Sequence, residues 1–377
     1  MNHTKPHTLL NTVGTSLLTN CTRAPDSELK QFIASKNVQG TIAELLNHPS
    51  ASSLSAELNS ITSIIQHNYL SIRQRCLFLV SDTPEGRFIG AVLKEYYSSG
   101  KSTLRFEETE YQVIDGLNDN DIRQFRNTGL RNLVRLIGKE TRKTGAANII
   151  INATGGYKAQ ISFAGMIGQA LGIAVAYMHE KFSDVILLPP QPVNLDMEFW
   201  LENGEDFFAL NNGTAISEQD YLQRDSRFGP LIESIEGNGE LLTALNATGQ
   251  LFHETFSEKF AHKHEGLLPK PCMVAPENKK RTYEDANSGK HPGLETYLNK
   301  ICKESFVVAV TTCYYNPDLN AGTNFKISAG CRPEQVEGIY SNNGQSTNYY
   351  ITTTAIKESE RKACLVYLLN NLQSGCY

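Results

Sequence analysis

The chain has 377 residues, of which 40% are hydrophobic and 20% are charged, a composition that fits a folded protein with two or three domains. No run approaches the roughly 20 apolar residues that a membrane span requires, and the N-terminus lacks the long apolar core of a secretory signal. A cytoplasmic location without membrane contact is therefore expected. The formal net charge of -5 argues against a general nucleic-acid coat, so any RNA or nucleotide site should be local.

The first 190 residues alternate short β-rich runs with helical stretches, which is typical of a parallel sheet covered by helices. Strands are predicted over residues 7–13, 76–81, 111–115, 148–153, 173–177 and 185–188. Helices are predicted over 90–97, 119–142 and 157–171. The sequence thus indicates an α/β Rossmann-like domain over residues 1–190, in which ligands bind beyond the carboxyl ends of the strands.

A proline-rich run at 188–192 ends this domain, because it cannot continue a helix. Residues 191–268 then offer helical pieces, two short strands at 231–236 and 241–245, and a helix over 248–260. Two strands joined by a glycine turn resemble a winged helix-turn-helix. Because the segment is acidic, a winged-helix-like structural connector is favoured over a DNA-reading module.

Residues 269–377 predict a third, α+β domain. After a polar linker over 267–290, the pattern gives two helices around a small antiparallel sheet. The helices are expected at 292–303 and 359–372, and the strands at 306–315, 324–328, 335–340 and 348–354. This domain holds 12 Lys and Arg against 10 Asp and Glu, a charge of +2, which leaves -7 on the rest of the chain. The local basic excess favours contact with a polyanion here.

Two glycine-containing loops follow strands of the first domain. The first is TVGTS at 12–16, and the second is NATGGYKA at 152–159, where a helix begins at once. Free backbone amides, the helix N-terminus and Lys158 would face an anion such as a phosphate. Neither loop is a P-loop or a GxGxxG motif, so nucleoside triphosphates and NAD are not indicated. Either loop taken alone is equally explained as a tight turn.

Together, NTVGTSLL and IINATGGYKA resemble the CRISPR-associated Rossmann fold (CARF) family, and the resemblance covers residues 1 to about 190. It implies a homodimer that binds a cyclic oligoadenylate, most often cyclic tetra-adenylate, as an allosteric activator. Ser16 and Lys158 fall where the family places ligand-contacting groups. The other expected contacts line the loops or complete the rim, namely Gly14, Thr15, Thr154, Gly155, Gly156 and Tyr157, with Asp82 and Thr83 at the rim.

Some relatives in that family also cut the ring. Cutting without a metal requires the ribose 2'-hydroxyl to lie in line with the phosphorus, and cations to stabilise the developing charge. Lys158 and Ser16 could share that task, which makes ring cutting a hypothesis for this domain.

Metal sites are not indicated by the sequence. Eight cysteines are present and no two are spaced CxxC, so buried or unreactive thiols are expected. His253, His262 and His264 have no partner at ligand spacing and are expected on a helix surface. The predicted strands of the third domain carry one acidic residue, Glu337, which argues against a magnesium nuclease. The last histidine is His291, so that sheet should have none.

The third domain, over about residues 290–377, resembles the RelE family of messenger-RNA interferases. The resemblance rests on the order of elements and on the basic and aromatic motifs FKIS, GCRP, GIYS and ITTTAIKESER. It implies RNA cleavage without metal or other cofactor, commonly on the ribosome, with Lys, Arg and Tyr in place of His. The residues it implies as catalytic are Lys326, Arg332, Tyr340, Lys357 and Arg361.

Each of these residue types suits a step of RNA cleavage. A lysine such as Lys326 can act as a base only where nearby cations disfavour its charged form. Arg332 and Lys357 would stabilise the phosphorane charge, and Tyr340 would stack on a base or donate a proton. The alternative is that both lysines are solvated and that the tyrosine belongs to the core.

The sequence therefore predicts a metal-independent ribonuclease of type III CRISPR antiviral defence, activated by cyclic tetra-adenylate and cutting mRNA on the ribosome. Two alternatives stay open. One is a ligand-gated regulator whose middle segment binds DNA, and the other is a ring-cutting enzyme with an inert third domain.

Overall fold

The computed structural model describes residues 5–23, 27–179, 181–189, 197–237, 239–284 and 290–372. The chain divides into two compact units. The first unit comprises the chain up to residue 195 together with 218–241 and 245–258. The second comprises 196–217, 242–244 and the chain from 259 onward.

A six-stranded sheet forms the centre of the first unit, in the order β3-β2-β1-β4-β5-β6. Its strands are β1 (Thr8–Thr12), β2 (Arg75–Ser81), β3 (Glu108–Ile114), β4 (Ile149–Asn152), β5 (Ala174–Tyr177) and β6 (Ile186–Leu188). The first five are parallel and β6 runs antiparallel to β5. All six predicted strands are confirmed, because runs such as RCLFLVS are apolar enough to be buried on both faces of the sheet.

Helices cover both faces of this sheet. Between β1 and β2 lie α1 (Ser16–Arg23), α2 (Ser27–Ala34), α3 (Val38–Asn47) and α4 (Ala56–Gln66), none of which was named from the sequence. The predicted helices are confirmed as α5 (Pro84–Ser98), α6 (Ile122–Gln124), α7 (Arg131–Thr144) and α8 (Lys158–Leu171), with a π-helical turn at Phe125–Leu130. Leu9 and Phe78 face α1–α5, whereas Leu10 and Leu79 face α7 and α8, since successive strand residues point to opposite sides.

The expected connector region contains α9 (Met197–Glu202), α10 (Gly204–Asn212), α11 (Glu218–Arg224), β7 (Ile232–Gly237), β8 (Glu240–Leu245) and α12 (Ala247–Lys263). The predicted hairpin and the helix after it are present. The region is nevertheless divided between the two units: α9 and α10 lie in the second, and α11 and β7 in the first. The predicted boundary at residue 190 lies outside the described residues.

Apolar and polar contacts explain this division. In the first unit, Ala247 and Leu251 of α12 join the core beside α7, and Arg135 Nε donates to Gln250 Oε1 at 2.9 Å. In the second unit, Trp200 of α9 is fully buried and packs its ring 6.0 Å from that of Phe260. A hydrophobic helix cannot remain in a solvated connector, so the acidic composition of the segment was a poor guide to its packing.

The second unit contains a five-stranded sheet in the order β11-β12-β13-β10-β9. Its elements are β9 (Lys280–Tyr283), α13 (Leu294–Cys302), β10 (Val307–Asn316), β11 (Asn324–Lys326), β12 (Gln335–Asn342), β13 (Gln345–Thr353) and α14 (Glu358–Leu372). Two expectations are corrected. The predicted linker at 267–290 contains an edge strand, and that strand, β9, pairs parallel with β10, so the sheet is mixed rather than antiparallel.

The two faces of this sheet differ in chemistry. One face, which includes Val310, Phe325, Val336, Tyr349 and Ile351, is buried in a core shared with α13 and α14. The other face carries polar side chains that are mostly half-buried. No helix in the described ranges combines the length and hydropathy that crossing a membrane requires.

Candidate functional sites

The two predicted loops meet at one edge of the first sheet. β1 pairs with β4, and the chain leaves β1 toward β2 on one side and β4 toward β5 on the other. This is a topological switch point, where α/β sheets open a crevice for ligands. The loops are in close contact, because a Cβ added to Gly14 would lie 2.6 Å from the backbone nitrogen of Gly156. Only glycine permits this approach.

The loop after β4 presents a cation at this edge. Gly156 has a φ of 114°, in the left-handed region that favours glycine, and α8 begins two residues later. Lys158, the first residue of that 14-residue helix, is exposed, and its side chain has no partner among the described residues. The helix N-terminus and the lysine together make this loop attractive to an anion.

A buried polar network holds the same loop in place. Asn152 Nδ2 donates to Asn11 Oδ1 at 3.0 Å and to Ser60 Oγ at 2.8 Å. Thr154 Oγ1 donates to Asn152 Oδ1 at 2.7 Å and accepts from the Met178 amide at 3.1 Å. Thr154 therefore serves the loop structure, and its hydroxyl hydrogen is not free for a ligand.

The structure adds a buried acidic residue, Glu57, that sequence reasoning missed. Its carboxylate accepts from the Gly14 amide at 2.8 Å, from Ser16 Oγ at 3.2 Å and from Ser55 Oγ. Glu57 is fully buried, and a Cβ on Gly155 would overlap its Oε1. Two donors of the first loop that were expected to meet an anion, the Gly14 amide and the Ser16 hydroxyl, thus already donate to a carboxylate. No local signal reveals this, since Glu57 lies 41 residues beyond Ser16.

Two of the remaining predicted contacts, Asp82 and Thr83, have structural partners. Asp82 Oδ1 pairs with Arg87 at 2.6 Å, and Thr83 caps α5 by accepting from the Gly86 amide at 3.0 Å. Burial raises the pKa of the Tyr157 hydroxyl, and nearby Asp119 raises it further. Thr15 is exposed and, with Lys158, is the most accessible of the ten predicted positions.

The polar face of the second sheet places Lys326 among carboxylates. Lys326 is directly opposite Glu337 in the β11–β12 pair, and its Nζ lies 3.8 Å from Glu337 Oε1. The same oxygen accepts from Asn348 Nδ2 at 3.0 Å. Glu205 of α10 accepts from the Ile327 amide at 3.3 Å. The charges beside Lys326 are thus anionic, which is the reverse of the cationic surroundings that a lysine base requires.

Glu205 is an acidic residue near Lys326 that sequence reasoning missed, as it missed Glu57 in the first unit. Burial raises the pKa of its carboxyl, the neighbouring charges of Asp206 and Glu337 raise it further, and Lys326 opposes them. Glu205 lies in the segment predicted as an acidic connector, 122 residues before Ile327. A carboxyl with a raised pKa holds a proton more readily than an ordinary glutamate, and Glu205 lies near the cation Lys326.

The other predicted catalytic residues are only partly brought together. Tyr340 lies three residues after Glu337 on β12 and therefore points to the opposite face from Lys326. Arg361 donates to the Arg332 carbonyl at 3.1 Å and to Glu358 at 2.9 Å. Lys357 is exposed at the start of α14. Lys326 and Tyr340 cannot contact one phosphate from opposite faces of a sheet.

A histidine that precedes the predicted strands, His291, packs beside this sheet. His291 is buried, with Nδ1 2.7 Å from Thr347 Oγ1 and Nε2 3.3 Å from the Asn342 carbonyl. Its ring packs 4.8 Å from that of Tyr340, whose hydroxyl donates to the Pro292 carbonyl at 3.1 Å. Burial lowers the pKa of His291. Both side chains are engaged in packing on the core face.

Metal-binding and thiol chemistry are also limited in the described ranges. They contain no group of three or more His, Cys, Asp or Glu side chains arranged to hold a metal ion. The cysteines within them are free, and four are buried, as expected: Cys21, Cys76, Cys302 and Cys364. His253 is buried against α7 rather than exposed, because α12 packs its polar stripe inward, toward Arg135 and Arg142.

One family model matches part of the first unit. Residues 52–191 match the family described as CRISPR-associated protein (Cas_APE2256), a segment that includes the loop after β4 but not the loop after β1. No curated protein matches the chain. Solved structures that match this chain include the following two. Can2 from Sulfobacillus thermosulfidooxidans in complex with cyclic tetra-adenylate is 12% identical, with 70% of this chain and 66% of that chain covered and a TM-score of 0.24. Protein VC1899 from Vibrio cholerae is 9% identical, with 92% and 77% covered and a TM-score of 0.26. The alignment spans just under two thirds of Can2.

Proposed function

We propose that this chain is an effector of type III CRISPR antiviral defence whose first unit binds cyclic tetra-adenylate and whose second unit then cleaves RNA. One observation carries the proposal: the loops after β1 and β4 meet at the switch point of a Rossmann-like sheet, where α8 begins with an exposed lysine. The match of residues 52–191 to a CRISPR-associated family supports it.

Ligand binding follows from the charges at this edge. A cyclic oligoadenylate presents several phosphates around a ring, and Lys158 with the start of α8 supplies a positive site for one of them. A symmetric ring with more than one phosphate is best held by the same site used twice, which is why we propose a homodimer. One ring would then bind across the two-fold axis.

RNA cleavage is assigned to the polar face of the second sheet. Lys326 supplies a cation there, Glu337 pairs with that cation at 3.8 Å, and Glu205, whose carboxyl has a raised pKa, supplies a group that can hold a proton. We retain Arg332, Lys357 and Arg361 as proposed phosphate contacts, with metal-free cleavage of mRNA on the ribosome as the RelE-like expectation. Tyr340 is better explained as a core residue, because its hydroxyl and ring are both engaged.

Activation requires that the ligand bind the active arrangement more tightly than the resting one, since a ligand shifts an equilibrium only by its difference in affinity. Calorimetric titration of the full chain with cyclic and with linear tetra-adenylate tests the sensing half. We expect one cyclic ring per two chains and much weaker binding of the linear form. Equal binding of both forms, or of neither, would remove the proposal. The alternative of ring cutting predicts a linear product, which mass analysis of the ligand after incubation with the protein would detect.

A further inference from the structure

The Ser16 hydroxyl donates its only hydrogen to a buried acceptor. A serine hydroxyl has one hydrogen to donate and two lone pairs to accept with. The Ala56 amide can only donate, so at 2.9 Å it occupies one lone pair of Ser16 Oγ. The Glu57 carboxylate can only accept, so at 3.2 Å it takes the hydrogen. One lone pair of the half-buried Ser16 is left, with no hydrogen.

This polarity decides which ligand group can hydrogen-bond with Ser16 in the loop after β1. Phosphate oxygens only accept hydrogen bonds, and both the Gly14 amide and the Ser16 hydroxyl already donate to Glu57. A ribose hydroxyl, in contrast, has a hydrogen to donate. Resting on the proposed ligand class, we propose that Ser16 accepts a hydrogen bond from a ribose 2'-hydroxyl of the cyclic oligonucleotide, and that Glu57 is the positioning residue that fixes this polarity.

The two loops then contact different groups of the ligand. Lys158 and the start of α8 receive phosphate, whereas Ser16 reads the sugar and so distinguishes a ribonucleotide ring from a deoxyribonucleotide ring. A site built to pair with a substrate hydroxyl rejects the analogue that lacks it, because its own polar atom is left unpaired.

Replacing Glu57 with glutamine, which has nearly the same shape, reverses the polarity at Ser16. The Oε1 of the amide still accepts from the Gly14 amide, while its NH2 group donates to Ser16 instead of accepting from it. Ser55 Oγ already accepts from two backbone amides, so it loses its acceptor and gains no donor. The Ser16 hydrogen is then free to turn outward and meet a phosphate. Glu85 provides a matched control, because E85Q also removes one negative charge from this unit but leaves Ser16 untouched: Glu85 pairs with Lys36 at 2.8 Å.

The experiment measures dissociation constants of cyclic tetra-adenylate and of its all-2'-deoxy counterpart for the wild-type chain, S16A, E57Q and E85Q. We expect the wild type and E85Q to prefer the ribose ring by about tenfold or more, as one lost hydrogen bond implies. In S16A and in E57Q, the preference for the ribose ring should fall by about that factor. Any effect of sugar pucker is common to all four proteins and cancels in the comparison.

Several outcomes would overturn the inference. One is a wild type that binds both rings equally, and another is an E57Q or S16A variant that keeps the full preference. If E57Q fails to fold, the ring preference of S16A alone tests the inference, because this substitution removes one hydroxyl and leaves the loop backbone in place. Binding of neither ring to the wild type would instead refute the proposed ligand class, and this inference would fall with it.

Discussion

Replacing Lys158 with glutamine is the sharpest perturbation of the ligand site. Lys158 is exposed and has no partner in the described part of the chain, so its removal disturbs no internal contact. An ion pair at about 4 Å is worth about 1 kcal/mol in bulk water and about 4 kcal/mol near a protein surface. Because the lysine is exposed, the lower part of that range applies, and we expect K158Q to bind cyclic tetra-adenylate about 5- to 30-fold more weakly for each lysine that contacts the ring.

Calorimetric titration at two salt concentrations measures this effect. The wild type should lose affinity as salt rises, and K158Q should lose less, because one screened contact is already gone. Lys143 offers a matched control: it is exposed near the end of α7, at the opposite edge of the sheet, and K143Q should bind as the wild type does. Wild-type affinity in K158Q with an unchanged thermal midpoint would refute the assignment of the phosphate site.

Three further predictions concern the second unit and the core. K326A and E337Q should each reduce ligand-dependent RNA cleavage at least about tenfold while ligand affinity stays constant; an unchanged cleavage rate in both would remove the polar sheet face as the active site. W200A should lower the free energy of unfolding by about 3 to 5 kcal/mol, seen in urea titration, because Trp200 is fully buried. Burial, with Arg142 and Arg135 nearby, lowers the pKa of His253 from 6.5 to about 3, so the neutral form is favoured in the folded state. The stability that this contributes is present above pH 6.5 and is lost as the pH falls toward about 3; the unfolding midpoint of H253Q should change less over that window than that of the wild type.

The first sheet was predictable because its signals are local. Each strand is a short apolar run, such as RCLFLVS or IIIN, bounded by turns or helices, and burial on both faces requires that pattern. The loops after β1 and β4 followed directly, since parallel strands bring their carboxyl ends to one edge. The pattern could not predict which donors of the loop after β1 are already paired, because this depends on Glu57 from α4.

The second site depended on contacts that local patterns do not encode. Glu205 reaches Ile327 across 122 residues, and His291 reaches the sheet from a segment before α13. Lys326 stays a predicted catalytic residue, and its anionic neighbours come from a separate helix and a separate strand. Strand periodicity, applied to the spacing of Glu337 and Tyr340, would have shown that the tyrosine lies on the other face.

Division of the chain into units was also beyond the sequence signals. The proline-rich run predicted the end of the first domain, yet residues 245–258 return to the first unit and place Leu251 in its core. A chain cut after residue 190 would expose that core. We therefore expect such a fragment to be destabilised, and functional tests require the full chain.

RNA cleavage by the full chain, assayed without added metal and with and without cyclic tetra-adenylate, tests the central proposal most directly. Naked RNA and translating ribosomes should be compared in parallel. We expect cleavage only when the ligand is present, and cleavage of mRNA on ribosomes in particular. Ligand binding without cleavage of either RNA would contradict it, and would leave the second unit without the activity assigned here.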